Sequence, residues 1–266
     1  MSEDISESSP IVVGGTGGSG TRAIVKFLDK CGVDMGAKNA VGDAVSFVAL
    51  LDRHINSVLG LTKSTRYDPH DLPAQLRDAV VSDYLAAARE HRAKHNRPRA
   101  GAWGFKNPRH IFLLPLLNVA LPKVIFVHAV RDGRDMLLSE NIRQPKDHFQ
   151  ALFGYPFSNS PDDTARFWSL TNLDTRRFGR SLLADRYVCV RIEDLCGPDP
   201  QKHVEALAEA LGLDPERALR RARIFQDRES YGRGKAAQLE LSPKTRVDFE
   251  AALSEFGYLP KLVRQG

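Results

Sequence analysis

Cysteine is scarce in this chain of 266 residues. There are three, Cys31, Cys189 and Cys196, an odd number with no C-x-x-C pair. That spacing excludes a disulfide framework and a cysteine zinc site, and leaves the three as small apolar side chains. Long apolar runs are missing too. None reaches the ~18 residues of a membrane span. The amino terminus, MSEDISESSP, is acidic and polar and lacks the apolar stretch of a secretory leader. The expectation is a cytoplasmic protein with no membrane span, whose residues 1–10 form a disordered tail. Basic residues outnumber acidic ones by only 38 to 33, a net charge of +5, and no five stand in a row. This balance suits an anionic small ligand and points to no nucleic-acid partner. No repeat, low-complexity tract or linker divides the rest, so residues 11–266 read as one domain.

What is present is an alternation of apolar strands and amphipathic helices. IVVGG (11–15), KVIFVHAV (123–130) and RYVCVRI (186–192) are short, continuously apolar and rich in β-branched residues, with AWGFK (102–106) a weaker fourth. Continuous apolarity marks strands covered on both faces, as in a parallel sheet. Helical patterns lie in TRAIVKFLDKCG, closed by Gly32, and in LPAQLRDAVVSDYLAAAREHRAK, DDTARFWSLTNLDTRRFGRSLLA, DPQKHVEALAEALGL and SPKTRVDFEAALSEFGYL. The fold class is therefore α/β, a central parallel sheet flanked by helices. HNRPRAG (95–101) and QPKDHFQALFGYPFSNSPDD (144–163) read as irregular, the second long enough for a lid. Its FQALFGYPF portion hints at an aromatic-lined acceptor pocket.

The first strand runs into five glycines within residues 14–20 and then into a helix, the usual construction of a phosphate cradle. Gly15, Gly17 and Gly20 satisfy G-x-G-x-x-G, but no second strand ending in an acidic residue follows at the distance a dinucleotide site needs. Gly15 and Gly20 also have the spacing of G-x-x-x-x-G-K-[ST]. Thr21 and Arg22 stand where that motif has its lysine and its magnesium-binding hydroxyl. Five glycines with no ligand would be costly in chain entropy. At 126–139 the chain reads FVHAVRDGRDMLLS. A buried strand delivers Arg131 at its carboxyl end, where open α/β sheets bind ligands, and Ser139 follows eight residues later on the next helix. A guanidinium and a hydroxyl converging there would make a second phosphate site. One phosphate on the glycine loop and one under Arg131 and Ser139 describe a bisphosphorylated nucleotide.

These motifs resemble those of the sulfotransferase superfamily, which uses 3′-phosphoadenosine 5′-phosphosulfate (PAPS). Ser19-Gly20-Thr21 is in register with the family's (Lys/Arg)-Ser-Gly-Thr-(Thr/Ser) loop, and Arg131 to Ser139 matches its 3′-phosphate signature. RIEDLCGPDPQKHVEALAEALGL (191–213) is similar to its YEDL…P…LGL segment, and WGFKNPRHIFLLPLL (103–117) to the GWK(N/D/E)PR…LLP of bacterial members. The resemblance spans most of residues 11–258. It implies a P-loop-like three-layer fold, no metal requirement, and transfer of a sulfuryl group from PAPS to a hydroxyl or amine of an acceptor, a small molecule or glycan. The chain departs from the family at Gly18, where a basic residue is usual, and at Ala23, where many members stack a Trp on the adenine. Tyr231 is a candidate for that stacking.

The resemblance further implies that Gly17, Gly18, Ser19, Gly20, Thr21 and Arg22 cradle the 5′-phosphate. Arg131 and Ser139, with Arg233 and Lys235, would hold the 3′-phosphate. Lys106 or Arg22 would neutralise the leaving oxygen, Asp43, His110 or His54 would act as the base, and Arg109 would bind sulfate oxygens or an acceptor anion. Asp132 and Asp135 are expected to brace their turn, and Trp168 to lie in the core. A nucleotide kinase is the alternative reading, and a catalytically inactive nucleotide-binding module, motivated by Gly18, is a third.

Overall fold

The computed structural model describes residues 5–94, 101–225, 232, 234 and 240–260. Four parallel strands form its centre: β1 (Ile11–Gly15), β2 (Gly104–Lys106), β3 (Ile125–Val130) and β4 (Tyr187–Arg191), in the order β2-β1-β3-β4. The register sets Val13 against Lys106, Gly15 against Ala129, and Val130 against Arg191. The carboxyl ends that carry the glycine turn, Lys106 and Arg131 therefore share one edge of the sheet.

Alternation along the strands builds two cores. Val12 and Phe126 face a cluster with α2 (Val48–Thr62), α3 (Ala74–Ala93) and α4 (Leu114–Ala120). Ile11, Val13, Val127 and Ala129 face the opposite cluster, with α1 (Thr21–Cys31), Leu195 and Cys196 of α8 (Ile192–Cys196), α9 (Gln201–Ala210) and α10 (Pro215–Arg221). This is the expected three-layer α/β architecture. A third cluster packs Val130 and Met136 of α5 (Gly133–Leu137) against Trp168 of α7 (Pro161–Phe178) and Phe249 of α11 (Pro243–Glu255). Among the described residues no helix is long and apolar enough to cross a membrane.

Two sequence expectations are corrected. Within the supposed tail, Ile5–Glu7 form a 3₁₀ turn, Ile5 is buried in the first core cluster, and Glu7 pairs with Lys123 at 2.6 Å. Within the supposed irregular stretch 144–163, residues Arg143–Phe153 are a helix, α6, ended by Gly154 at φ 84°. Pro145 falls in its first turn, where a missing N–H breaks no helical hydrogen bond. The aromatic residues of this stretch pack on one another. Phe149 stacks on Phe153 with ring centroids 4.4 Å apart and meets Phe157 at 5.4 Å.

Candidate active site

The turn after β1 owes its shape to two left-handed glycines, Gly18 at φ 88° and Gly20 at φ 77°. A methyl group at Gly20 would also sit 2.5 Å from Ile192 Cγ1, so this turn reaches its helix only through glycine. Gly20 is the residue before α1 and offers no side-chain cap, and the first turn of α1 holds no acidic residue. The N–H groups of Gly18, Gly20, Thr21 and Arg22 have no partner among the described residues. Four donors at a helix N-terminus form an anion cradle. Gly17 and Ser19 belong to its frame instead. Gly17 N–H donates to Gln144 Oε1 at 2.8 Å. Ser19 is buried, its N–H donating to the Thr16 carbonyl at 3.2 Å and its hydroxyl 2.8 Å from that of Thr16.

Arg131 leaves the end of β3 and turns toward this cradle. Its Nη1 donates to the Gly18 carbonyl at 3.3 Å, while Nε and Nη2 donate to Asp135 at 3.2 and 3.0 Å. Trp168 Nε1 holds the Arg131 carbonyl at 3.1 Å. Asp135 also accepts from the N–H groups of Gly232 and Gly234, both at 2.7 Å. Burial alone would raise its pKa; these donors and Arg131 overcome that and hold the carboxyl below its ordinary value. Asp132 caps α5 through Arg134 N–H and pairs with the Arg134 side chain at 2.6 Å. Both aspartates brace the turn, as expected.

Glycine turn, Arg131, Lys106, Asp43 and Arg109 border one cleft of about 620 Å³. Lys106 ends β2, 3% exposed, and its ammonium donates to Asp43 Oδ1 at 2.6 Å and to the Val41 carbonyl at 3.1 Å. Burial lowers its pKa, and the bond to Asp43 acts against that. Arg109 is fixed at one side by Asp52 and at the other by Asn107 Oδ1. Ala23, Cys196, Ile224 and Phe225 also line the cleft and make part of its wall apolar.

Three expected site residues lie elsewhere. Ser139 follows α5 rather than lying on it and does not border the cleft; its hydroxyl accepts from Asn141 N–H at 3.2 Å. His54 is buried and bonds to Asp83 at 2.8 Å. His110 belongs to a 3₁₀ helix, Pro108–Phe112, that turns it inward. It is fully buried beside Phe47 and Phe105, with Tyr84 Oη 3.1 Å from its Nδ1, and burial pushes its pKa down to about 3. Arg233, Lys235 and Tyr231 lie outside the described residues. Sequence reasoning missed Asn141 and Gln144, which lie against the glycine turn and border the same cleft. Nothing local marks them.

His110 is expected to make the protein acid-sensitive, together with His128 and His148, which burial lowers to about 4. The unfolded chain protonates these rings near pH 6.5 and the folded chain only near 3 to 4, so the unfolded state binds more protons between those limits. Stability is expected to fall as pH drops below about 6.5. His110→Gln is expected to remove one proton from that slope, about 1.4 kcal/mol per pH unit. Urea midpoints at pH 5 and 7 measure it; an unchanged slope in the variant would clear His110 of the effect.

A model described as the sulfotransferase family matches residues 10–217. No curated protein matches the sequence. Among solved structures, the sulfotransferase domain of the Synechococcus PCC 7002 olefin synthase superposes with a TM-score of 0.59 at 18% identity, covering 96% of each chain. Sulfotransferase STF9 of Mycobacterium avium gives 0.53 at 16% identity, covering 94% of this chain and 77% of its own. At these identities the structural likeness speaks for the fold.

Proposed function

Because the chain belongs to the sulfotransferase family, we propose that it transfers a sulfuryl group from PAPS to a hydroxyl or amine of an acceptor, a small molecule or glycan. The observation that carries this reading is the convergence of two anion-binding elements on one cleft. These are the uncapped N-terminus of α1 and the Arg131 guanidinium, which reaches the Gly18 carbonyl. The partnerless N–H groups of Gly18, Gly20, Thr21 and Arg22 fit a 5′-phosphate, and Arg131 fits the 3′-phosphate. The apolar wall at Ala23, Ile224 and Phe225 suits a purine.

Lys106 and Arg22 neutralise charge on the leaving oxygen. Asp43 receives the acceptor's proton, and Arg109 holds an anionic group of the donor or acceptor. In the transfer the acceptor atom bonds to sulfur, the bond from sulfur to the bridging oxygen breaks, and its electron pair stays on the phosphate. Catalysis is then mainly positioning and electrostatics, as in phosphoryl transfer.

Adenosine 3′,5′-bisphosphate in EDTA, at a hundred times its Kd, is expected to raise the melting temperature by about 5–10 °C. A response to ATP with magnesium alone would favour a kinase. Binding of the bisphosphate without turnover of PAPS on any of a broad acceptor panel would favour an inactive module.

A further inference from the structure

Glycine at 17 and 18 leaves one flank of the anion cradle with no side chain of its own. Gly18 is left-handed, and a methyl group there would meet Met136 Cε at 3.2 Å. Any side-chain donor on that flank must therefore come from another part of the chain.

The segment between α5 and α6 supplies one. Gln144, 5% exposed, accepts from Gly17 N–H at 2.8 Å and donates to the Gly15 carbonyl at 3.4 Å. One amide thus ties the start of α6 to a turn 127 residues earlier in the chain. Asn141, three residues before it and ahead of α6, is held through its own N–H by the Ser139 hydroxyl. Its side-chain amide lies against the glycine turn. A methyl group at Gly17 would be 3.5 Å from both Asn141 Nδ2 and Oδ1, and one at Gly18 would be 3.9 Å from Nδ2. Asn141 borders the cleft, is exposed, and its amide has no partner among the described residues. Two of the cations that border the cleft are engaged: Lys106 with Asp43 and Val41, Arg131 with Asp135 and Gly18.

We propose that the Asn141 side-chain amide, held over Gly17 and Gly18 by the Gln144 anchor, donates a hydrogen bond to the sulfuryl group of the bound donor. This rests on the sulfotransferase reading. The sulfuryl oxygens carry negative charge throughout the transfer, in which the acceptor atom bonds to sulfur, the bridging oxygen keeps the electron pair, and the acceptor's proton passes to the base. A neutral amide placed beforehand stabilises that charge. The bond is lost when the group leaves, so the bisphosphate product is expected to gain less from the amide than PAPS does.

The test compares dissociation constants of PAPS and of adenosine 3′,5′-bisphosphate, together with the slow release of bisphosphate from PAPS in water. Asn141→Ala and the near-isosteric Asn141→Leu are expected to weaken PAPS about tenfold, to slow bisphosphate release, and to leave the bisphosphate within about twofold. Asn141→Ser, which retains an O–H donor, is expected to recover part of the loss. The exposed position makes misfolding a poor explanation of any change, and melting temperatures check it. Equal effects on the two nucleotides, or none on either, would overturn the proposal while leaving the function standing. Wild-type protein that binds neither nucleotide would overturn the function itself, and this inference with it.

Discussion

Arg131→Ala is expected to weaken binding of adenosine 3′,5′-bisphosphate by about 2–4 kcal/mol, because the phosphate would lose its charged, hydrogen-bonding partner in a sheltered place. The side chain is 7% exposed, so little water can enter to replace it. Its orientation is set from three directions: Trp168 on its carbonyl, Asp135 on Nε and Nη2, and the Gly18 carbonyl on Nη1. Two effects must be separated. Truncation also strips Asp135 of its cation, although the N–H groups of Gly232 and Gly234 continue to serve that carboxylate. A fall in melting temperature is therefore expected as well, and Arg131→Lys separates the two. It keeps a positive charge near Asp135 but loses the planar fork, so stability is expected to recover more than affinity does. Calorimetry on folded Arg131→Ala that returns the wild-type affinity would remove this residue from the donor site.

The parts of the site that were legible in the sequence are those with local signals. Ile11–Val13 are continuously apolar, the glycines up to Gly20 call for a tight turn, and Thr21 onward has a helical face; strand Ile11–Gly15, turn and helix form there. Arg131 was placed by the same logic, since the apolar run before it defines where β3 ends. Nothing in the local sequence marks His110 as facing the core. Lys106 ends a strand and His110 lies in a 3₁₀ turn after Pro108, so four residues carry the second side chain into the core. Helix α6 was hidden by Pro145 and Gly154, residues that usually interrupt helices but here stand at its two ends. The bond from Gly17 to Gln144 was beyond any local pattern. It exists because the folded sheet brings two distant segments together, and an isolated glutamine carries no mark of that.

Lys106→Met is expected to lower the rate of sulfuryl transfer, followed as bisphosphate release, by about 10²–10³-fold, the usual loss when one preorganised donor to a developing charge is removed. Methionine fills most of the buried stem's volume, so packing is largely kept. The rival explanation is that the ammonium merely ties down the loop before α2, through Asp43 and the Val41 carbonyl. The two differ in what else changes. A loop tether predicts that Lys106→Met and Asp43→Asn, which break the same 2.6 Å pair, lose rate alike and weaken the nucleotide alike. A direct electrostatic role predicts that Lys106→Met leaves bisphosphate affinity within about threefold while the rate falls. It also predicts that Asp43→Asn removes a basic group and with it the acidic limb of the pH–rate profile. Turnover that survives in Lys106→Met would pass the neutralising role to Arg22, the cation that stands in the first turn of α1 on the same cleft.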